Sequence, residues 1–174
     1  MYTLRRAGVE YEADMGEPKL APRDIPFVPA NPVERVVNYP LQTGGQSFAI
    51  TACSTGNPHC SIFVDTLDDS YVEKVGPLLE QHPAFPNRTN VEFIHVLNDR
   101  EIEVRFWERG VGYSNASGTG SCGATVASIL NGKTGRKVTV HAKAGKLAVE
   151  WLENGRLKLT STANIVAEGS YLEA

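Results

Sequence analysis

Between residues 117 and 123 the chain reads Ser-Gly-Thr-Gly-Ser-Cys-Gly, a run of small residues that leads straight into the apolar stretch 124–130. Glycine inside a helix costs about 1 kcal/mol against alanine, so glycines clustered at a helix start imply a use for bare backbone. Exposed N–H groups at a helix N-terminus, approached closely where no Cβ intervenes, make an anion site. The lysine of a phosphate-binding loop is missing, so a carboxylate is the expected guest rather than a nucleotide. The same residues also suit tight helix–sheet packing with no ligand at all.

Three further stretches bear on the choice. Gly56-Asn57-Pro58-His59 puts an amide and an imidazole at a rigid turn, Thr89-Asn90 opens a strand, and Trp107-Glu108-Arg109-Gly110 ends one just before the glycine run. Arg109 has the fork geometry to grip a carboxylate, and Glu108 can accept from an ammonium, so together they suit a zwitterion. Taken singly, each stretch is an ordinary turn or a solvated strand end. Cys53, His59 and Cys60 do not make a metal site, because adjacent residues 59 and 60 point to opposite faces of a strand and no fourth ligand is nearby.

The elements that must position these residues follow from the hydrophobic period. Residues 2–16 alternate around Ala7-Gly8 as a hairpin, and residues 17–32 carry five prolines, which exclude regular structure and mark a linker. Residues 33–41, 47–56 and 60–67 are β-rich runs separated by turn residues, an antiparallel meander. Over 68–83 the period becomes helical, with Val72, Val75, Leu78 and Leu79 on one side, Asp68 to Ser70 at the cap and Pro83 beyond the end. Residues 90–98 and 101–110 are strands joined by Asn98-Asp99-Arg100. A second helix spans 121–132, closed by Asn131-Gly132, and strands follow over 137–143, 146–154, 156–162 and 164–174. Near ten strands and two helices without βαβ alternation give an α+β fold with a mostly antiparallel, mixed sheet. Nearly every side of the second helix is small or apolar, so the sheet is expected to curl around it as a central buried helix.

The 174 residues suit one domain, with residues 1–30 as hairpin and linker and 31–174 as the body. A net charge of −3 gives no footprint for nucleic acid or an anionic membrane. No window is long and apolar enough for a membrane span, and the N-terminus lacks the apolar region of an export signal, so the expected address is the cytoplasm. Three cysteines without a CxxC pair are expected as reduced thiols.

In order and spacing, Asp14-Met-Gly-Glu-Pro18, Gly56-Asn-Pro-His59, Thr89-Asn-Val-Glu-Phe93, Trp107-Glu-Arg-Gly110 and the Gly-Thr-Gly-x-Cys element at 118–122 resemble the C-terminal half of diaminopimelate epimerases. The resemblance covers nearly the whole chain. It implies a fold of two similar domains, each a curled sheet around a central helix, with the substrate between them and its α-carboxylate at the helix N-termini. It implies an isomerase of lysine biosynthesis that converts LL- to meso-diaminopimelate by proton transfer at the α-carbon, with no cofactor and no metal. Carried over by position, Asn57, Asn90, Glu108, Arg109, Gly118 and Thr119 resemble substrate-binding residues, and His59 the histidine beside the reacting centre.

Two departures stand out. The family's cysteine before Gly-Thr-Gly is Ser117 here, and the N-terminal domain with its own cysteine is expected to lie outside this chain. A thiol with a pKa of about 8.5 can be tuned to exchange protons near neutrality, whereas a serine hydroxyl needs a neighbouring base, for which His59 is the candidate. The family's Glu-Thr after Trp-Glu-Arg-Gly is Tyr113-Ser114 here. Three outcomes stay open: half of a two-domain epimerase; a one-base isomerase or dehydratase, as proline-racemase-like and phenazine-biosynthesis-like relatives suggest; or a non-catalytic domain binding an amino acid or dicarboxylate. The expected partner is the missing domain or a second copy, since an uncovered face favours self-association.

Overall fold

The computed structural model describes residues 3–8, 10–164, 167, 169 and 170. Its strands are β1 (Thr3–Ala7), β2 (Glu10–Gly16), β3 (Tyr39–Thr43), β4 (Gln46–Ser54), β5 (Pro58–Phe63), β6 (Asn90–Asn98), β7 (Glu101–Glu108), β8 (Gly112–Ser114), β9 (Lys137–Ala142), β10 (Gly145–Trp151) and β11 (Leu157–Thr162). The helices are α1 (Asp69–Glu80) and α2 (Gly118–Leu130). One sheet runs β1-β2-β11-β10-β9-β7-β6-β5-β4-β3, with β8 paired to β7. Pro40, which cannot donate to a ladder, lies on the edge strand β3.

The sheet is mixed, as expected, but two parallel pairs interrupt it. β5 pairs parallel with β6, and β7 with β9. Parallel neighbours need a crossover, and α1 and α2 supply the two crossovers. The expectation of no βαβ alternation is therefore corrected: the periodicity of a helix does not reveal which strands it joins.

α2 is the axis of the fold. Every residue from Gly120 to Ser128 is buried, and the helix touches β4 to β7 and β9 to β11. Around it pack Ile94, Ile102, Val104, Phe106, Val138, Val140, Val149 and Leu157. On β7 the pattern alternates, with Ile102, Val104 and Phe106 buried while Glu101, Glu103 and Arg105 take the other face. α1 covers that other face and adds Val72, Val75 and Leu79 to a second core with Ile50, Ile62, Phe85, Val91 and Phe93. Leu78, placed on the buried stripe by its spacing, is instead 38% exposed. β5 is buried from Pro58 to Ile62 and β6 from Asn90 to Ile94; α2 packs on both strands, and α1 packs on β6 as well.

The proline-rich segment holds a 3-10 turn at Pro22–Asp24 and a bridge from Lys19 to Ser54, so regular structure is not wholly excluded. Its Ile25 and Phe27 join the second core, with the Phe27 ring 5.4 Å from Tyr39 and 4.9 Å from Phe85. The hairpin joins the main sheet through β2 and β11. α2 starts at Gly118, before the expected 121, because Ser117 already caps it. The three-residue β8 was not expected, being too short to show a period. Of the strand expected over 164–174, residues 164, 167, 169 and 170 are not in a strand, and the rest lie outside the described residues. No helix among the described residues is long and apolar enough to cross a membrane.

Two predictions follow from this packing. A Cβ on Gly123 would stand 2.9 Å from Cβ and Cγ of His59, a fully buried ring held by hydrogen bonds. Gly123→Ala is expected to cost about 1–3 kcal/mol by overpacking despite alanine's helix preference, read from urea unfolding. An unchanged midpoint would show that the ring gives way. Burial raises the Cys122 thiol to about 12 and pushes Cys53 and Cys60 well above a free thiol. A disulfide thiol reagent at pH 8 should therefore titrate none of the three in the folded chain and all three in denaturant.

Candidate functional site

The two parallel crossovers bring several motifs to one end of the sheet. In parallel register His59 of β5 lies beside Asn90 of β6, and in antiparallel register Val91 of β6 lies beside Trp107 of β7. The start of β5, the start of β6 and the end of β7 are thus neighbours. Asn57, in the turn before β5, donates to Thr119 Oγ1 at 3.5 Å, which brings the first turn of α2 to the same end.

His59 is fully buried. Its Nδ1 lies 2.6 Å from Glu92 Oε1, and its Nε2 lies 3.0 Å from both Thr55 Oγ1 and Asn57 Oδ1. Ser61 donates to the other Glu92 oxygen at 3.0 Å. A buried polar pair persists only where its remaining hydrogen-bonding atoms are satisfied, and Ser61 meets that need for Glu92. Glu92, His59, Asn57 and Thr119 form a polar chain from the core to the start of α2. No hydrogen bond joins Ser117 to His59 among the described residues, so the structure does not place the imidazole as a base on that hydroxyl.

Ser117 is half-buried and caps α2, its Oγ accepting from Gly120 N at 3.2 Å while its carbonyl accepts from Ser121 Oγ at 2.7 Å. Gly118 follows it, exposed to solvent. The glycines serve packing as well. A Cβ on Gly120 would stand 2.9 Å from the Phe106 ring, so the small-residue run is both a packing device and an open helix start.

Asn90 spans two motifs, donating to Pro58 O at 2.9 Å and accepting from Arg109 N at 3.0 Å. The exposed Arg109 guanidinium donates to Asn87 O at 2.9 Å, and half-buried Glu108 precedes it. Gly110 has φ +75°, the left-handed turn that reverses the chain after β7. Tyr113 Oη donates to Asp69 Oδ1 at 2.8 Å, and Lys143 also donates to that carboxylate. The Lys143 bond, then that of Tyr113, holds Asp69 below the usual carboxylate range. Ala144 N donates to Asn115 O at 3.0 Å, so the segment leading to Ser117 is tied down on both sides.

An open groove of about 520 Å³ runs beside this segment, lined by Ala116, Ser117, Thr139, Lys146, Thr160 and Ser161 among others. Ser117 is the one candidate residue on its wall. The hydrogen-bonded group of Asn57, Asn90, Arg109 and Thr119 therefore marks the candidate site better than the groove does. Among the described residues no cluster of three or more His, Cys, Asp or Glu is placed to hold a metal.

Glu92, Ser61, Thr55 and Glu80 were not singled out from the sequence. Glu92 did leave a signal, a lone carboxylate in the apolar strand Val91–Val96. Glu80 left none, because a glutamate at a helix end is ordinarily solvated.

Diaminopimelate epimerase is the family whose profile matches residues 51–166. The chain is 54% identical over 158 residues to a diaminopimelate epimerase of Pelotomaculum thermopropionicum, covering 91% of this chain and 56% of that protein. It is 47% identical to one of Leptospira biflexa, covering 90% and 55%. The chain thus spans little more than half the length of these relatives. Among solved structures, a hydroxyproline epimerase from Agrobacterium vitis superposes with TM-score 0.63 at 12% identity, over 92% of this chain and 52% of that one. A phenazine biosynthesis protein from Bacillus anthracis gives 0.56 at 11%, over 92% and 61%. At such identities these two show a shared fold, whereas the matches along residues 51–166 and to the close relatives show descent: the chain belongs to the diaminopimelate epimerase family.

Proposed function

We propose that this chain supplies one half of a cofactor-independent amino-acid epimerase site that takes diaminopimelate, in the conversion of the LL to the meso form. The observation that carries this reading is the hydrogen-bonded joining of Thr119, Asn57, Asn90 and Arg109 at one end of the sheet, across four separate motifs. A ligand carboxylate at the α2 N-terminus would meet backbone N–H groups and a favourable dipole end. Anion stabilisation there would also acidify the adjacent α-carbon, which is what proton abstraction requires. Arg109 and Glu108 stand at the neighbouring strand end as the two poles of a zwitterion clamp. A partner half, whether another chain segment or another polypeptide, would close the cleft.

Ser117 limits what this half does alone. Its hydroxyl titrates far above neutrality, and in the folded chain it serves as a helix cap. That cap favours a second reading, in which the domain binds an amino-acid carboxylate without transferring its proton.

One experiment separates the two. The chain is combined with the separately produced N-terminal domain of a relative, and deuterium incorporation at the α-carbon of diaminopimelate is followed by mass spectrometry. Ser117→Cys is expected to raise exchange by about 100-fold or more, the usual scale of a well-placed acid–base group. No exchange with either chain would overturn the epimerase reading. Calorimetry with diaminopimelate tests binding directly: Arg109→Ala is expected to weaken it about 10- to 100-fold, as loss of a charge-assisted hydrogen bond implies. Unchanged affinity would remove Arg109 from the site.

A further inference from the structure

Glu80 ends α1, and its carboxylate is only 5% exposed. Its two oxygens accept from two different points of the 107–110 turn. Oε2 accepts from Trp107 Nε1 at 2.7 Å, and Oε1 accepts from Gly110 N at 2.9 Å. Arg88 Nη1 lies 3.6 Å from Oε1 and sets a positive charge at the rim. The Glu80 carbonyl accepts from Thr89 N at 3.2 Å, so the same residue also ties down the segment that carries Asn87 and Asn90. Those two residues hold Arg109, Asn87 through the guanidinium and Asn90 through the backbone N–H. The Trp107 ring is clamped on its other side by Gly76 of α1, where a Cβ would stand 2.5 Å away.

We propose that Glu80 is a positioning residue whose carboxylate locks the 107–110 turn in the conformation that presents Glu108 and Arg109. That these two meet a ligand rests on the epimerase reading. Glu80 itself touches none of the candidate ligand-binding side chains. A carboxylate suits this point because it offers two acceptor oxygens and no donor to two N–H groups that both point at it. An amide of the same shape accepts one of them and turns its own N–H₂ against the other, leaving that donor without its partner. The left-handed conformation at Gly110 aims that backbone N–H inward, and the carboxylate holds it there.

The test uses the full chain labelled with nitrogen-15. In Glu80→Gln the Gly110 amide is expected to exchange about tenfold faster or more, the scale of a lost hydrogen bond to a charged group, and the Trp107 indole N–H resonance to move. The Val140 and Val149 amides should keep their protection, which shows that the α2 core remains folded. Trp107→Phe added to Glu80→Gln removes the second donor, leaves the amide one N–H to accept, and is expected to restore most of the Gly110 protection. Unchanged Gly110 exchange in Glu80→Gln, or no recovery in the double variant, overturns the proposal. Diaminopimelate titrated into the same samples should bind the single variant about tenfold more weakly than the wild type, with recovery in the double variant. A wild-type chain that binds no diaminopimelate while the exchange pattern holds would overturn the epimerase reading and leave the Glu80 lock established.

Discussion

A helix enclosed on every side can carry only residues small or apolar enough for seven strands to close around it, and that constraint on α2 shapes the rest of the molecule. Gly120 lets Phe106 approach, and Gly123 lets His59 approach, at distances a side chain would forbid. Ser121 and Ser128, also enclosed, turn their hydroxyls back onto carbonyls of their own helix, which satisfies them without a partner across the interface. The sheet curls because it must cover this helix while α1 covers the outer face of its middle strands.

The enclosure also explains how a site arises at the end of the fold. Because α1 and α2 each join parallel neighbours, the starts of β5 and β6 and the end of β7 come together beside the first turn of α2. Side chains there are not left to orient themselves. Asn90 is fixed from both sides, and His59 is fixed at both ring nitrogens. Buried polar groups linked this way specify one arrangement, since leaving any of them unmet in a low-dielectric interior is costly. The open surface of Gly118 and Arg109 then stands on a rigid floor.

The chain belongs to the diaminopimelate epimerase family and spans little more than half the length of the relatives it matches. Ser117 satisfies the α2 N-terminus as a cap, a task at which serine excels.

Much of this was legible before the fold was known. The helix and strand periods and the Asp68 cap depend on local chemistry, and local chemistry is written in adjacent residues. The two parallel pairings, the three-residue β8, the packing of Ile25 and Phe27, and the exposure of Leu78 were not legible, because each depends on what arrives from elsewhere in the chain. Glu80 and Glu92 make the same point for the site. As sequence, Glu80 is one glutamate among many, and Glu92 is marked only by its apolar neighbours. Tertiary structure alone decides that one is sealed against His59 and the other against Trp107 and Gly110, since a carboxylate's role is set by the donors that surround it once water is gone.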